Sequence, residues 1–320
     1  MPLALACASH TPLMRDGYCP PDVRAQVADS FAELARRIRE FDAELIIQFS
    51  PDHFNGFFYD LMPAFCVGIQ AESVGDWGTK SGPLNVPETI ASEMAESLID
   101  AGFDMATSYR MRIDHGFIQL WEQTLGSAAV LPIVPVFINC AAPPLPSFRR
   151  VRELGGAVGR FAHSLGKRVV IAASGGLSHD PPTPQIKSAS AEVRAKLIDG
   201  RNPSAEERAS REQRVLDAGR DVVAGVSPIM PVSASWDREF LERLREGPLE
   251  QFDSWLTRDL VGVAGRGGPE VLCWIAACAA MRSAGAYETE LLFYEAIQGW
   301  IAGVAILSGK SVRGESTNAA

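Results

Sequence analysis

Apolar residues along the chain follow two rhythms. Continuous apolar runs, of the kind that bury both faces of a strand, occur at LALACA (3–8), ELIIQF (44–49), VLPIVPVFIN (130–139) and RVVIAAS (168–174). Each is closed by turn-forming or polar residues. Between them, spacings of three and four residues predict helices. Val23, Val27, Phe31, Leu34 and Ile38 share a face behind Pro21, as do Ile90, Met94 and Leu98 behind Pro87. Val151, Leu154, Val158 and Leu165 do so behind a Ser147 cap. A further apolar helix is expected from Pro269 through VLCWIAACAAM, approached by GRGG. Strands alternating with helices predict an α/β sandwich.

The stretch 180–228 breaks the rhythm. It opens with DPPTPQIK, and its charged AEERASREQRVLDAGRDVV reads as a mostly solvated helix, expected as an elaboration over one edge of the sheet. Neither a repeat nor a linker divides the chain, so one domain over 1–307 and a loose tail over 308–320 are expected.

Composition narrows the function. The 320 residues are 47% hydrophobic, enough for a substantial core, and carry a net charge of −9 with no dense basic tract, which argues against nucleic acid as a partner. Six cysteines without a C-x-x-C pair suit a reducing compartment. The start MPLALACASH lacks the basic region of a signal peptide, and no apolar run reaches membrane-spanning length. A cytoplasmic protein without membrane association is expected.

Histidine placement is the most informative chemistry. Of five histidines, His163 falls on the solvent flank of its helix. His10, His53 and His179 each follow the end of an expected strand, where open α/β sheets bind ligands, and His115 lies in the tight RIDHGF stretch. Asp52, Asp114 and Asp180 adjoin histidines, yet neighbouring side chains diverge, so solvation or capping accounts for them equally well. Glu270 falls in the first turn after Pro269, where the helix dipole alone would favour a carboxylate.

Imidazoles with one carboxylate and no thiolate suit a borderline divalent metal. Two histidines and one acid match the non-haem Fe(II) oxygenase pattern, while zinc with a bound water remains open. There is no H-E-x-x-H, and GGLSH lacks the G-x-S-x-G elbow. GRGG lacks the lysine of a phosphate loop.

The set ASHTPLM, SPDHFNGFFYDLMPAFCVG, RIDHGF, SGGLSHDPP and GGPEVLCWIAA resembles the type III extradiol catechol dioxygenases, the superfamily of protocatechuate 4,5-dioxygenase, over nearly the whole chain. The resemblance implies a three-layer sandwich with a central mixed sheet and helices on both faces. It implies Fe(2+) held by His10, His53 and Glu270, with His179 as base and His115 as proton donor. It further implies O2 and a small catechol as reactants, one carrying a three-carbon carboxylate side chain or, alternatively, another 3-substituted catechol, and a homo-oligomer, a tetramer on the family pattern. Memo-like proteins share this fold without a catalytic role, so the fold alone leaves catalysis open. No residue for the side-chain carboxylate stands out.

Overall fold

The computed structural model describes residues 2–312. Among these, the strands are β1 (Leu3–Ala8), β2 (Leu45–Ser50), β3 (Phe65–Gly68), β4 (Ala71–Ser73), β5 (Gly82–Pro83), β6 (Ala106–Ser108), β7 (Met111–Ile113), β8 (Ile133–Ile138), β9 (Val169–Ser174), β10 (Tyr287–Ile297) and β11 (Ala302–Ser311). The α-helices are α1 (Leu13–Asp16), α2 (Pro21–Phe41), α3 (Glu88–Asp100), α4 (His115–Leu125), α5 (Phe148–Ser164), α6 (Ala191–Asp199), α7 (Ala205–Val223), α8 (Ala234–Glu246), α9 (Thr257–Ala264) and α10 (Val271–Ser283).

Eight of the described strands form one mixed sheet in the order β10-β11-β1-β9-β2-β8-β3-β6, and β5-β4-β7 form a small second sheet. The centre, β1-β9-β2-β8, is parallel. Parallel neighbours need crossover connections, and the helices that supply them cover both faces. Alternation along each strand divides the core in two. Leu5 and Cys7 of β1 pack with α3, α5, α8 and α10, whereas Ala6 and Ala8 face α2 and α4. The expected three-layer sandwich is therefore present, and the four apolar runs are its four central parallel strands.

Helix α10 comes unusually close to α5. A Cβ on Gly155 would lie 2.1 Å from the carbonyl oxygen of Ala276, and one on Gly159 would lie 2.1 Å from that of Ala280. Small residues one turn apart thus seat α10 against the sheet layer, and its position fixes Glu270 at its start.

Three expectations need correction. Strand β11 runs to Ser311, with Lys310 opposite both Ala4 and Glu288, so the first residues of the expected tail belong to the sheet. Ladder pairing on both sides outweighs their polar composition. Residues 313–320 lie outside the described residues. The 180–228 stretch is helical where expected, but α7 packs on α1 and on the turn between β10 and β11. It therefore covers the carboxyl-end mouth of the sheet, because its Val215, Ala218 and Val222 stripe finds apolar partners there. Finally, Glu270 precedes α10, at the end of a short 3-10 turn (Gly268–Glu270).

Candidate metal centre and active site

Loops leaving the carboxyl ends of three adjacent strands build the site. His10 follows β1, His179 follows β9 and His53 follows β2, and these strands are neighbours in the sheet although their sequence positions are distant. Glu270 arrives from the helical layer on one face, and His115 from the first turn of α4 on the other.

The donor atoms meet closely. His10 Nε2 lies 3.3 Å from His53 Nε2 and 3.5 Å from Glu270 Oε2, and His53 Nε2 lies 3.2 Å from Glu270 Oε1. Donors bonded at about 2.1 Å to one ion on an octahedral face lie about 3 Å apart, so this triangle fits a single metal. Both rings are oriented for it. His10 Nδ1 pairs with Ser174 Oγ at 2.9 Å, and His53 Nδ1 donates to Asp114 Oδ2 at 2.9 Å, which leaves each Nε2 facing the shared point. A nitrogen of His115 is also close enough to those of His10 and His53 to form a three-histidine group. Glu270 adds to the two imidazoles the negative charge that a divalent ion favours, which the three-histidine group does not offer.

Electrostatics agree with a site built for a cation. Burial holds the His10 imidazole neutral, drawing its pKa down to about 3. For His53, burial opposes the charged ring, but the Asp114 and Glu270 carboxylates outweigh it and raise its pKa well above the ordinary value. Burial would raise the Glu270 pKa, yet the surrounding His179 and His10 hold it well below the usual carboxylate range. Glu270 Oε2 also accepts the Gly176 N–H at 2.8 Å.

The other two histidines border this triangle. His179 donates Nδ1–H to the Leu177 carbonyl at 2.9 Å, and its Nε2 lies 3.1 Å from Glu270 Oε1. Burial disfavours its charged form, but Glu270 overcomes that and the pKa is raised. His115 stacks on His53 with ring centroids 4.6 Å apart, and its Nδ1 donates to Asp76 Oδ2 at 2.6 Å. Its Nε2 is buried without a hydrogen-bond partner among the described residues.

All five expected site residues thus converge, and His163 is exposed on α5. The aspartates behave otherwise than adjacency suggests. Asp114 caps α4 through Gly116 N–H and holds His53, not His115. Asp52 organises its own loop by accepting the N–H groups of Asn55, Gly56 and Phe57. Asp180 pairs with Arg266 at 2.6 Å. Sequence reading passed over Asp76 because no histidine lies near it in the chain. It also passed over the reason for GRGG: a Cβ on Gly267 would lie 1.9 Å from His179 Nε2, so the glycine makes room for the ring. Asp237 on α8 steadies the SGGLSH turn, accepting Ser178 N–H at 2.7 Å and the Tyr294 hydroxyl at 2.9 Å.

The histidines open into a cavity of about 1030 Å³, its open mouth included. Leu13, Trp77, Pro181, Pro182 and Trp300 give it apolar walls, and α7 closes one side.

Residues 4–305 match the family model described as the catalytic LigB subunit of aromatic ring-opening dioxygenase. A Rhodococcus jostii (strain RHA1) protein named 2,3-dihydroxyphenylpropionate/2,3-dihydroxicinnamic acid 1,2-dioxygenase is 50% identical, over 98% of this chain and 99% of its own. Proteins of the same name from Rhodococcus sp and Photorhabdus laumondii are 49% and 45% identical, each over 98% of this chain and over 99% and 98% of their own. Among solved structures, the uncharacterized protein JW3007 from Escherichia coli K12 matches 96% of this chain and 99% of its own with a TM-score of 0.53. At 14% identity that likeness concerns the fold alone.

Proposed function

Because the chain belongs to the family of the catalytic LigB subunit of aromatic ring-opening dioxygenases and is an enzyme of the extradiol class, we propose that it cleaves 3-(2,3-dihydroxyphenyl)propanoate, and 2,3-dihydroxycinnamate, beside the diol. The reaction uses Fe(2+) and O2. The observation that carries this reading is the triangle of His10 Nε2, His53 Nε2 and the Glu270 carboxylate, 3.2 to 3.5 Å on each side, bordered by two further histidines.

His10, His53 and Glu270 would hold the iron, and a two-histidine, one-carboxylate set leaves coordination positions open. Ferrous iron supplies the one-electron chemistry that triplet dioxygen requires and a closed-shell ring lacks. The protein's own task is to position the reactants and move protons. His179 has its Nδ1–H committed to Leu177, so a proton taken from a catechol hydroxyl goes onto Nε2, where Glu270 stabilises it. His115, anchored through Nδ1 on Asp76, offers Nε2 to return a proton to oxygen as the ring opens. The product, 2-hydroxy-6-oxonona-2,4-dienedioate, is the sum of the catechol and O2, so no reductant is needed.

The same reading takes the chain as a single catalytic domain and the enzyme as a homo-oligomer, a tetramer on the family pattern. Six free, buried cysteines favour the reducing cytoplasm. Among the described residues no helix is long and apolar enough to cross a membrane.

Fe(2+)-loaded protein given the propanoate catechol in air should form a yellow dienol with equimolar O2 uptake. Alanine at His10, His53 or Glu270 should abolish iron retention. Alanine at His115 or His179 should keep the iron and lower turnover by about 10²- to 10⁴-fold. Turnover persisting under argon, or full iron retention by the His10 and His53 variants, would overturn the proposal.

A further inference from the structure

In a chain with a net charge of −9, the cavity face of α7 is positive. Arg208, Arg211 and Arg214 line the cavity with a single acid of the same helix, Glu212, while Glu206, Glu207, Asp217 and Asp221 do not border it. Two of these four residues are committed. Arg211 Nη2 donates to the His53 carbonyl at 3.1 Å, and Glu212 Oε1 accepts the Trp77 N–H at 3.3 Å. These bonds pin α7 to two loops of the site and fix which residues look inward. Arg208, about one helical turn before Arg211, is half-buried, and its guanidinium makes no hydrogen bond or ion pair among the described residues.

A half-buried guanidinium with no partner among the described residues carries a desolvation cost that a carboxylate would offset. Resting on the proposed function, we infer that Arg208 binds the side-chain carboxylate of the catechol and so sets the preference for anionic 3-substituted catechols. A three-carbon acid side chain reaches about 5 Å from its ring, close to the pitch of one helical turn. Arg208 and His53 line the same cavity, and Arg211, about one turn from Arg208, bonds the His53 carbonyl, so a ring beside His53 has Arg208 on the adjoining wall. Leu13, Trp77 and Val215 would pack against the ring and linker.

The test compares kcat/KM for 3-(2,3-dihydroxyphenyl)propanoate with that for the neutral 3-propylcatechol, in wild type and Arg208→Gln. The inference expects the acid-over-neutral ratio to fall by roughly 10- to 100-fold in the variant. It expects partial recovery in Arg208→Lys. Arg220→Gln, which alters the same helix at a solvent-facing pair with Asp217, should keep the wild-type ratio. Wild-type enzyme given the propanamide in place of the acid should lose a similar factor, and this arm does not depend on the folding of any variant. An unchanged ratio in Arg208→Gln, an equal loss on both catechols, or an amide cleaved as well as the acid would overturn the inference. Wild-type enzyme that cleaves neither catechol would instead remove the functional reading on which it rests.

Discussion

The Oδ2 atom of Asp114 takes two hydrogen bonds from one residue, His53: its backbone N–H at 2.8 Å and its Nδ1–H at 2.9 Å. A single buried carboxylate therefore fixes both the loop carrying His53 and the tautomer that turns Nε2 toward His10 and Glu270. Asp114→Asn keeps the shape and the α4 cap but presents an amide to Nδ1. Iron affinity should fall by about 10- to 100-fold, measured by competition with a chelator. An affinity within a factor of two of wild type would mean that the ring is oriented without it.

Asp76 holds His115 twice, accepting its backbone N–H at 2.8 Å and its Nδ1–H at 2.6 Å, so a change at Asp76 acts through that imidazole. Asp76→Asn should leave iron content and KM close to wild type and lower kcat by about 10- to 100-fold. Asp76→Glu should restore part of the rate. Iron loss in the asparagine variant would point instead to a structural role for this aspartate.

Gly267 leaves the space that the His179 ring occupies, since a Cβ there would stand 1.9 Å from Nε2. Gly267→Ala should push the ring off its Glu270 contact, cutting turnover by at least about tenfold while iron is retained. A crystal structure of the variant would show the displaced imidazole, and an unmoved ring with full activity would refute the steric argument.

Burial raises the Asp237 carboxyl to about 6 despite bonds from Ser178 and Tyr294. An acid raised on folding binds its proton more tightly in the native state. Its contribution to stability is therefore full below an unfolded pKa near 4 and is lost as the pH rises through about 6. The loss amounts to roughly 3 kcal/mol for a shift of about two units. Asp237→Asn cannot ionise, so its melting temperature should fall less than that of wild type between pH 4 and 7. Parallel pH dependences in the two proteins would exclude this group as the source.

The sequence disclosed most where one local pattern determined the outcome. The four doubly buried strands are continuous apolar runs, and His10, His53 and His179 stand where such runs end. What it concealed depends on contacts between distant segments. Asp76 has no mark in its own neighbourhood, because its meaning comes from α4 folding against it. Tyr287–Ile297 alternates between partly buried and exposed positions near the sheet edge, a weaker signal than an unbroken run. The charged helix α7 looked solvated because most of its surface is, and only the arginines on one side record what it faces.

That the site's loops leave β1, β9 and β2 side by side, while Glu270 is delivered by a helix from another layer, has a consequence for how the protein matures. The donors are separated by up to 260 residues of chain, and no fragment can assemble them before the whole sandwich has closed. Tight metal binding is then a property of the finished molecule alone. The free metal ion would rescue partly destabilised variants by mass action, each tenfold excess over the dissociation constant adding about 1.4 kcal/mol.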